Sequence, residues 1–408
     1  MRKPFLILLL CLLLLAGCAS APPSAETAPP TESIVMETVP ETTLPFTEET
    51  QPPVVIAAEI SGVAFFQNGK EITETLTDGR YTTHSAPGDL QIESPEPFCG
   101  LYLEWNALPQ SCILQWDGGS MEADRDFLHQ YISLPSPVTS LSLTADAGLC
   151  NVRLFTEGTP PEDVQLWQPP AEQADILVVA THSDDDVLFF GPVMAYYAIE
   201  TDAIVQTAFM VNHYYEPIRD HERLNGLWTL GLRHYPVVGT ARDYYVTDLY
   251  QAKSKYFSDD IPGWQVELLR RFRPSVVLGH DLKGEYGHGA HQLNALSLTQ
   301  AVELAADPAQ YPDSAQHYGI WDTPKLYLHL YRENEILFDV DTPLTGDSLG
   351  RTPFALAEDA FVCHESQQKT DFRVSREESP SLDCRRFGLY RSLVGQDTTW
   401  DLMEHIAN

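Results

Sequence analysis

Two stretches of the 408-residue chain carry side chains that could do metal chemistry: "THSDDD" at 181–186 and "HDLKGEYGHGAH" at 280–291. The first directly follows the apolar run "ILVVA", and carboxylates at the end of a buried strand are costly unless something compensates them. His182 and Asp185 are three residues apart, as are His288 and His291, so each pair can point the same way from the first turn of a helix. Two neutral imidazoles and a carboxylate suit Zn²⁺ and leave a fourth position open for water. Such a cation would offset the charge of the aspartates, and the adjacent carboxylate of Asp184 could take a proton from the water. Taken singly, each stretch has a plainer reading. Three aspartates suit a solvated turn, a helix N-cap or a calcium loop, and "HGAH" suits an ordinary loop. Their joint position at two strand ends favours chemistry.

Those strand ends belong to an alternating pattern. "ADILVVA" is a continuous apolar run of the kind found in buried parallel strands, and "DVLFFGPVMAYYAIE" follows as a helix interrupted near Pro192. The strand "AIVQTAFMV" and the helix "PIRDHERLNGLWTLGL" come next, then the short strand "YPVVG" and the helix "WQVELLRRF". "PSVVLG", "HQLNALSLTQAVELA" and "PKLYLHLY" read as strand, helix and strand. Alternation of this kind predicts an α/β domain over 174–408, a Rossmann-like open parallel sheet with helices on both faces. Its reactive loops lie at the carboxyl ends of the strands. No Gly-x-Gly-x-x-Gly follows the first strand, so no nucleotide cofactor is expected.

Residues 54–159 read as all-β. Runs such as "ISGVAFF", "GLYLEW", "SCILQW" and "NVRLF" are separated by Gly, Pro and Asp clusters at the spacing of a β-sandwich. "TLTDGRYTTHS", "LYLEW" and "VRLFTEG" resemble discoidin-type sandwiches, which implies a carbohydrate or surface contact made by loops at one end; the alternative is a spacer or packing domain with no ligand. Residues 160–173 read as a linker. At the start, "MRKPFLILLLCLLLLAGCAS" has basic residues, a short apolar core and small residues ending at Cys18. It reads as a signal peptide over 1–17, and "LAGC" resembles the lipobox of bacterial lipoproteins. The expectation is an exported, extracytoplasmic protein of the bacterial cell membrane, held by a lipid anchor on Cys18. Residues 18–53 are rich in Pro, Thr and Glu, with no Lys or Arg between Lys3 and Lys70, which predicts a disordered acidic stalk. The formal net charge of −33 argues against a nucleic-acid partner. Beyond Cys18 the mature part holds Cys99, Cys112, Cys150, Cys363 and Cys384 without a Cys-x-x-Cys pair, and no disulfide pairing is assigned.

Residues 174 to about 405 resemble the LmbE-like/PIG-L family of zinc-dependent N-acetylglucosaminyl deacetylases. Where the family has Ala-His-Pro-Asp-Asp-Glu, the chain has "THSDDD"; where the family has Gly-Tyr-Gly-His-Pro-Asp-His, it has "EYGHGAH". The family's Arg-x-x-Glu ahead of a helix ending in Leu-Gly matches Arg219, Glu222 and "TLGL", and a late His-x-Ser-Gln matches His364, Ser366 and Gln367. The resemblance implies His182, Asp185 and His291 as ligands of one zinc ion per chain and Asp184 as general base. It implies His288 as the group that stabilises the oxyanion or protonates the leaving amine, Tyr286 as a second oxyanion contact, and Arg219 as a substrate contact. An alternative for Arg219 is a surface salt bridge with Glu222. His280 and His364 suit bracing roles. Ser183, Asp186 and Ala290 depart from the family pattern. Ala290 stands where an aspartate normally hydrogen-bonds within the site, so His288 is expected to lack that partner.

The expected function is hydrolysis of the acetyl group from an N-acetylated amino sugar by an anchored zinc enzyme. Two other readings fit the same chain. One is a non-catalytic glycan-binding surface lipoprotein with a degenerate deacetylase domain, and the other is a metal hydrolase of a different acyl bond.

Overall fold

The structure, a computed structural model, describes residues 54–377 and 382–406. The signal peptide, Cys18 and the stalk lie outside the described residues. Among the described residues no helix is long and apolar enough to cross a membrane, and the five cysteines are unpaired.

The first region is an antiparallel sheet built on two long strands. Its strands are β1 (Ala64–Gln67), β2 (Lys70–Glu71), β3 (Gly88–Trp105), β4 (Cys112–Trp116), β5 (Gly119–Glu122), β6 (His129–Ala145) and β7 (Leu149–Phe155), with a short helix α1 (Thr73–Leu76) after β2. The order is β2-β1-β3-β6-β4-β5, and β7 pairs with β3. Leu90 and Ile92 of β3 point into the core while Gln91 and Glu93 point out, as period-two alternation requires. The register between β3 and β6 shifts around Phe98. Beyond that irregularity β3 pairs with β7 as well as β6, and its residues 101–105 are all buried. Long strands serving several partners explain why the all-β region forms one hydrogen-bonded network.

The second region holds strands β8 (Ile176–Ala180), β9 (Val205–Asn212), β10 (Val237–Arg242), β11 (Val276–Gly279), β12 (Lys325–His329), β13 (Glu335–Leu337) and β14 (Arg386–Ser392). Its helices are α2 (Gly191–Glu200), α3 (Ile218–Thr229), α4 (Leu249–Lys255), α5 (Ile261–Phe272), α6 (Gly289–Ala306), α7 (Pro312–Tyr318) and α8 (Pro353–Val362). The sheet order is β10-β9-β8-β11-β12-β14-β13. The first five strands run parallel, and β14 and β13 extend one edge antiparallel. Every residue of β8, β11 and β12 is buried, as expected of strands covered on both faces. The antiparallel edge was not anticipated. β13 spans only three residues, too few to show a periodicity.

The chain order reverses between β8 and β11, because β9 and β10 lie on one side of β8 while β11 and β12 lie on the other. That reversal opens a crevice at the carboxyl ends of β8 and β11. "THSDDD" leaves β8 there and "HDLKGEYGHGAH" leaves β11. The helix interruption near Pro192 is present: a π-helical turn, Asp186–Phe190, precedes α2, and Pro192 lies in the first turn of that helix.

The segment between the regions is packed. Val164 and Trp167 are buried, and the Trp167 ring lies 5.3 Å from Trp228 and 5.7 Å from Tyr235. One hydrophobic cluster runs from Phe65, Leu101 and Trp105 of the first region to Ile176, Phe189 and Val193 of the second. A polar contact accompanies it: His129 Nε2 lies 2.8 Å from His221 Nδ1 of α3, and Tyr81 stacks on His221 with ring centroids 4.0 Å apart.

Candidate functional site

The loop after β8 turns its polar groups inward. Asp185 Oδ2 accepts the backbone N–H of His182 at 2.7 Å and lies 3.0 Å from His182 Nδ1. The second loop brings His291, on the first turn of α6, to the same point. His291 Nε2 is 3.1 Å from Asp185 Oδ2 and 3.1 Å from His182 Nδ1. These three atoms form a nearly equilateral triangle, buried apart from a small exposed part of His182. Ligands held about 2.0–2.1 Å from one tetrahedral zinc ion would lie about 3.3 Å apart, so the donor set fits that ion. Two imidazole nitrogens are poor ligands for calcium, which takes oxygen.

Electrostatics point the same way. Burial opposes a charge on His182, but the carboxylates of Asp185 and Asp243 outweigh it and lift the ring to about 9. His291 is lifted to about 10, with burial opposed by Asp185 and Glu285. The carboxylates that lift these rings would also attract a metal cation, which binds as the imidazoles give up their protons. Each imidazole has a carboxylate facing its remote nitrogen: Asp243 Oδ1 lies 3.5 Å from His182 Nε2, and Glu285 Oε2 lies 3.0 Å from His291 Nδ1. Such partners orient metal-binding histidines.

Glu285 is fully buried and serves three histidines. Besides facing His291, it lies 2.8 Å from His280 Nδ1 and 2.9 Å from His329 Nδ1. His280 Nε2 accepts the backbone N–H of Thr181 at 3.0 Å, so both of its nitrogens are engaged and it braces the β8 loop. Glu285 points inward because its loop is unusual. Gly284 (φ +70°), Tyr286 (φ +46°) and Gly287 (φ +82°) all have left-handed backbone, and a Cβ at Gly284 would lie 2.4 Å from the carbonyl oxygen of His288. A tyrosine held in that region is strained, as residues at functional sites often are.

Above the triangle lies a pocket of about 300 Å³ lined by His182, Asp184, Arg219, Asp243, Tyr245, Tyr286, His288, Gln367 and Phe372. The structure thus brings together all seven residues singled out in the sequence: five line the pocket, and Asp185 and His291 lie at its base. Asp184 Oδ1 accepts from Arg219 Nη2 at 2.7 Å, and Arg219 Nη2 also donates to Ser183 O at 2.9 Å. Burial pushes the Asp184 carboxyl up, against the pull of Arg219. Arg219 does not form a surface bridge with Glu222. It is buried, and Glu222 instead accepts from the backbone N–H and hydroxyl of Ser366 at 2.6 and 2.7 Å. The His288 ring lies 4.7 Å from that of His291 and 5.0 Å from that of His182. Burial and those two rings push His288 down to about 3, so it is neutral at physiological pH. Among the described residues its Nδ1 has no hydrogen-bond partner, while Ala290 packs in an apolar cluster with Met210, Val211 and Val246.

Sequence reasoning missed Glu285, Asp243 and His213. Glu285 stood within "EYGHGAH", where the alternation of Gly with bulky residues already marked a turning loop. Asp243 lies just past β10, and no local pattern marks it. His213 accepts the Ser183 backbone N–H at 3.1 Å through Nε2, which ties the end of β9 to the β8 loop.

Among curated proteins, sequence similarity is found to 1D-myo-inositol 2-acetamido-2-deoxy-alpha-D-glucopyranoside deacetylases. The Catenulispora acidiphila deacetylase 1 is 28% identical over 198 residues, covering 42% of this chain and 60% of that protein. The Saccharopolyspora erythraea deacetylase 2 is 30% identical over 176 residues, covering 37% and 63%. The Streptomyces avermitilis enzyme is 24% identical over 288 residues, covering 57% and 97%. The chain is a relative of these deacetylases. The resemblance drawn from the four motifs is thereby borne out, although the chain spans less than two thirds of the first two relatives. No family model matches the chain. Among solved structures, the conserved protein TT1542 from Thermus thermophilus aligns at 19% identity over 48% of this chain and 80% of that one, with a TM-score of 0.37. GalB, the 4-carboxy-2-hydroxymuconate hydratase from Pseudomonas putida KT2440, aligns at 16% identity over 54% and 95%, with a TM-score of 0.34. Likenesses this slight say nothing about function.

Proposed function

We propose that this protein hydrolyses the acetyl amide of an N-acetylated amino sugar with the help of one zinc ion held by His182, Asp185 and His291. The observation that carries the reading is the triangle of His182 Nδ1, Asp185 Oδ2 and His291 Nε2, 3.0–3.1 Å on each side, at the base of a pocket that also holds Asp184 and Arg219. Kinship with sugar N-deacetylases supports the choice of substrate. Bound zinc would polarise the acetyl carbonyl and lower the pKa of a water molecule.

Asp184, raised by burial, accepts the proton of the attacking water and returns it to the departing amine nitrogen, so a free amine and acetate leave. Arg219 fixes Asp184 through the 2.7 Å contact. A neutral His288 donates a ring N–H to the developing oxyanion, with the Tyr286 hydroxyl as a second donor. The depressed titration of His288 favours this role over that of a proton donor to the amine. Desolvation against the pocket wall, helped by the carboxylates of Asp185 and Asp184, raises the Tyr286 phenol and keeps it protonated although the residue is 45% exposed. Export and a lipid anchor at Cys18 belong to the same proposal, supported by the signal-like and lipobox-like start of the chain.

The test is metal analysis and acetate release measured on one purified sample. About one zinc per chain and acetate release from N-acetylglucosamine glycans, both lost in His291→Ala, are expected. Native-rate acetate release by His291→Ala would overturn the ligand set. An inactive zinc-free wild type that retains glycan binding would favour the binding-protein reading, for which the unpartnered His288 Nδ1 is the structural support.

A further inference from the structure

The exposed aromatic side chains are not scattered. Tyr214, Tyr215, Tyr245, Tyr250 and Phe257 are 77, 70, 86, 84 and 84% exposed, and all belong to the segments that follow β9 and β10. Among the described residues, the other exposed Tyr, Phe or Trp rings are Tyr286, inside the pocket, and Tyr390 on β14. Rings this exposed add little to the packing of their own chain, and a cluster of them marks a contact surface.

Part of this cluster encloses a second basin of about 100 Å³, lined by Asn212, His213, Tyr214, Tyr215, Glu216 and Arg242, which shares Asp243 with the pocket over the metal-competent triangle. The loop that carries it is fixed in place. Asn212 Nδ2 donates to Thr240 O at 2.9 Å, the Tyr214 N–H to Asn212 Oδ1 at 3.3 Å, and the Glu216 N–H to His213 O at 2.8 Å. Through Ser183 N–H and His213 Nε2 the same loop is tied to the one bearing His182 and Asp185. The Tyr214 and Tyr215 rings stand 5.1 Å apart at 86°, and the Arg242 guanidinium lies 5.4 Å from the Tyr215 ring centroid. Flat aromatic faces suit the C–H faces of a pyranose, while Asn212, Glu216 and Arg242 offer hydrogen bonds to hydroxyl and acetamido groups. A loop fixed beforehand loses little freedom on binding.

We propose that this basin is a sugar subsite and that the substrate is an oligosaccharide of N-acetylated hexosamines, a substrate class that rests on the deacetylase reading above. The unit losing its acetyl group occupies the pocket over His182, Asp185 and His291, and its neighbour in the glycan chain lies against Tyr214 and Tyr215.

Calorimetric titration of the purified protein with N-acetylglucosamine and with its β-1,4-linked tetramer tests the subsite, with acetate release followed from both sugars. The tetramer should bind about tenfold more tightly than the monomer, the gain expected from contact with two aromatic side chains. In Tyr214→Ala/Tyr215→Ala that ratio should fall to about one, whereas Tyr390→Ala should leave it intact. Equal binding of the two sugars, no binding of the tetramer, or a preference that survives loss of both rings overturns the subsite. A tyrosine-dependent tetramer preference without acetate release supports the subsite and overturns the deacetylase reading instead.

Discussion

Arg219 Nη2 donates to Asp184 Oδ1 at 2.7 Å, and each side chain is only 8% exposed. The pair joins the proposed base to α3. Arg219→Ala would strand a buried carboxylate, and breaking one side of a buried ion pair costs about 3–5 kcal/mol. Urea denaturation should show that loss. Acetate release should fall by about 100-fold or more because the base is no longer held. Adding Asp184→Asn to Arg219→Ala should recover part of the stability and none of the activity.

Glu285 is the carboxylate behind His291, His280 and His329. Glu285→Gln keeps the volume and removes the charge. Zinc affinity, measured by competition with a chromogenic chelator, should weaken about 10–100-fold, the usual effect of losing a group that orients a metal-binding histidine. Unchanged affinity would mean that Glu285 only fills space.

Chelation should act on stability as well as on activity. If zinc binds the folded chain, excess metal at about 1,000 times its dissociation constant adds about 4 kcal/mol. EDTA treatment should therefore lower the melting temperature and abolish acetate release, and added zinc should restore both. Asp185→Asn should make the melting temperature insensitive to either addition.

His129 and His221 predict an acid-sensitive stability that does not depend on the metal. Burial holds both rings below the ordinary imidazole range, and their 2.8 Å N···N contact has room for one proton. Unfolded imidazoles titrate near 6.5, so below about pH 6.5 the unfolded chain takes up protons that the folded chain refuses. Stability should fall by about 1.4 kcal/mol per pH unit for each histidine as the pH drops from there. His129→Gln should flatten the slope of the urea midpoint between about pH 6.5 and 5.

The parallel core was legible because "ILVVA" and "VVLG" are strands buried on both faces, and such strands leave an unbroken apolar signature. The crevice was legible as well, since polar clusters after two such strands have few other places to go. What could not be read were partnerships made only by packing. His129 and His221 are 92 residues apart, and neither sits in a motif. Asp243 reaches the site from a third strand end, and Glu285 turns inward because of three left-handed residues around it. Backbone conformation of that kind follows from the folded loop and not from residue type alone. The antiparallel edge escaped for a similar reason: β14, "RFGLYRS", is half polar and takes its place by pairing with β12 and β13.

The Phe127 ring, 5.1 Å from that of Tyr235, together with the Tyr81–His221 stack, leaves no clean plane along which the two sheets could part. A fragment starting near residue 160 would bare greasy surface and orphaned imidazole nitrogen at once, inviting aggregation. Heat should accordingly melt both halves in a single endotherm, and whoever shortens this protein for crystallisation or assay will have to keep the leading sheet.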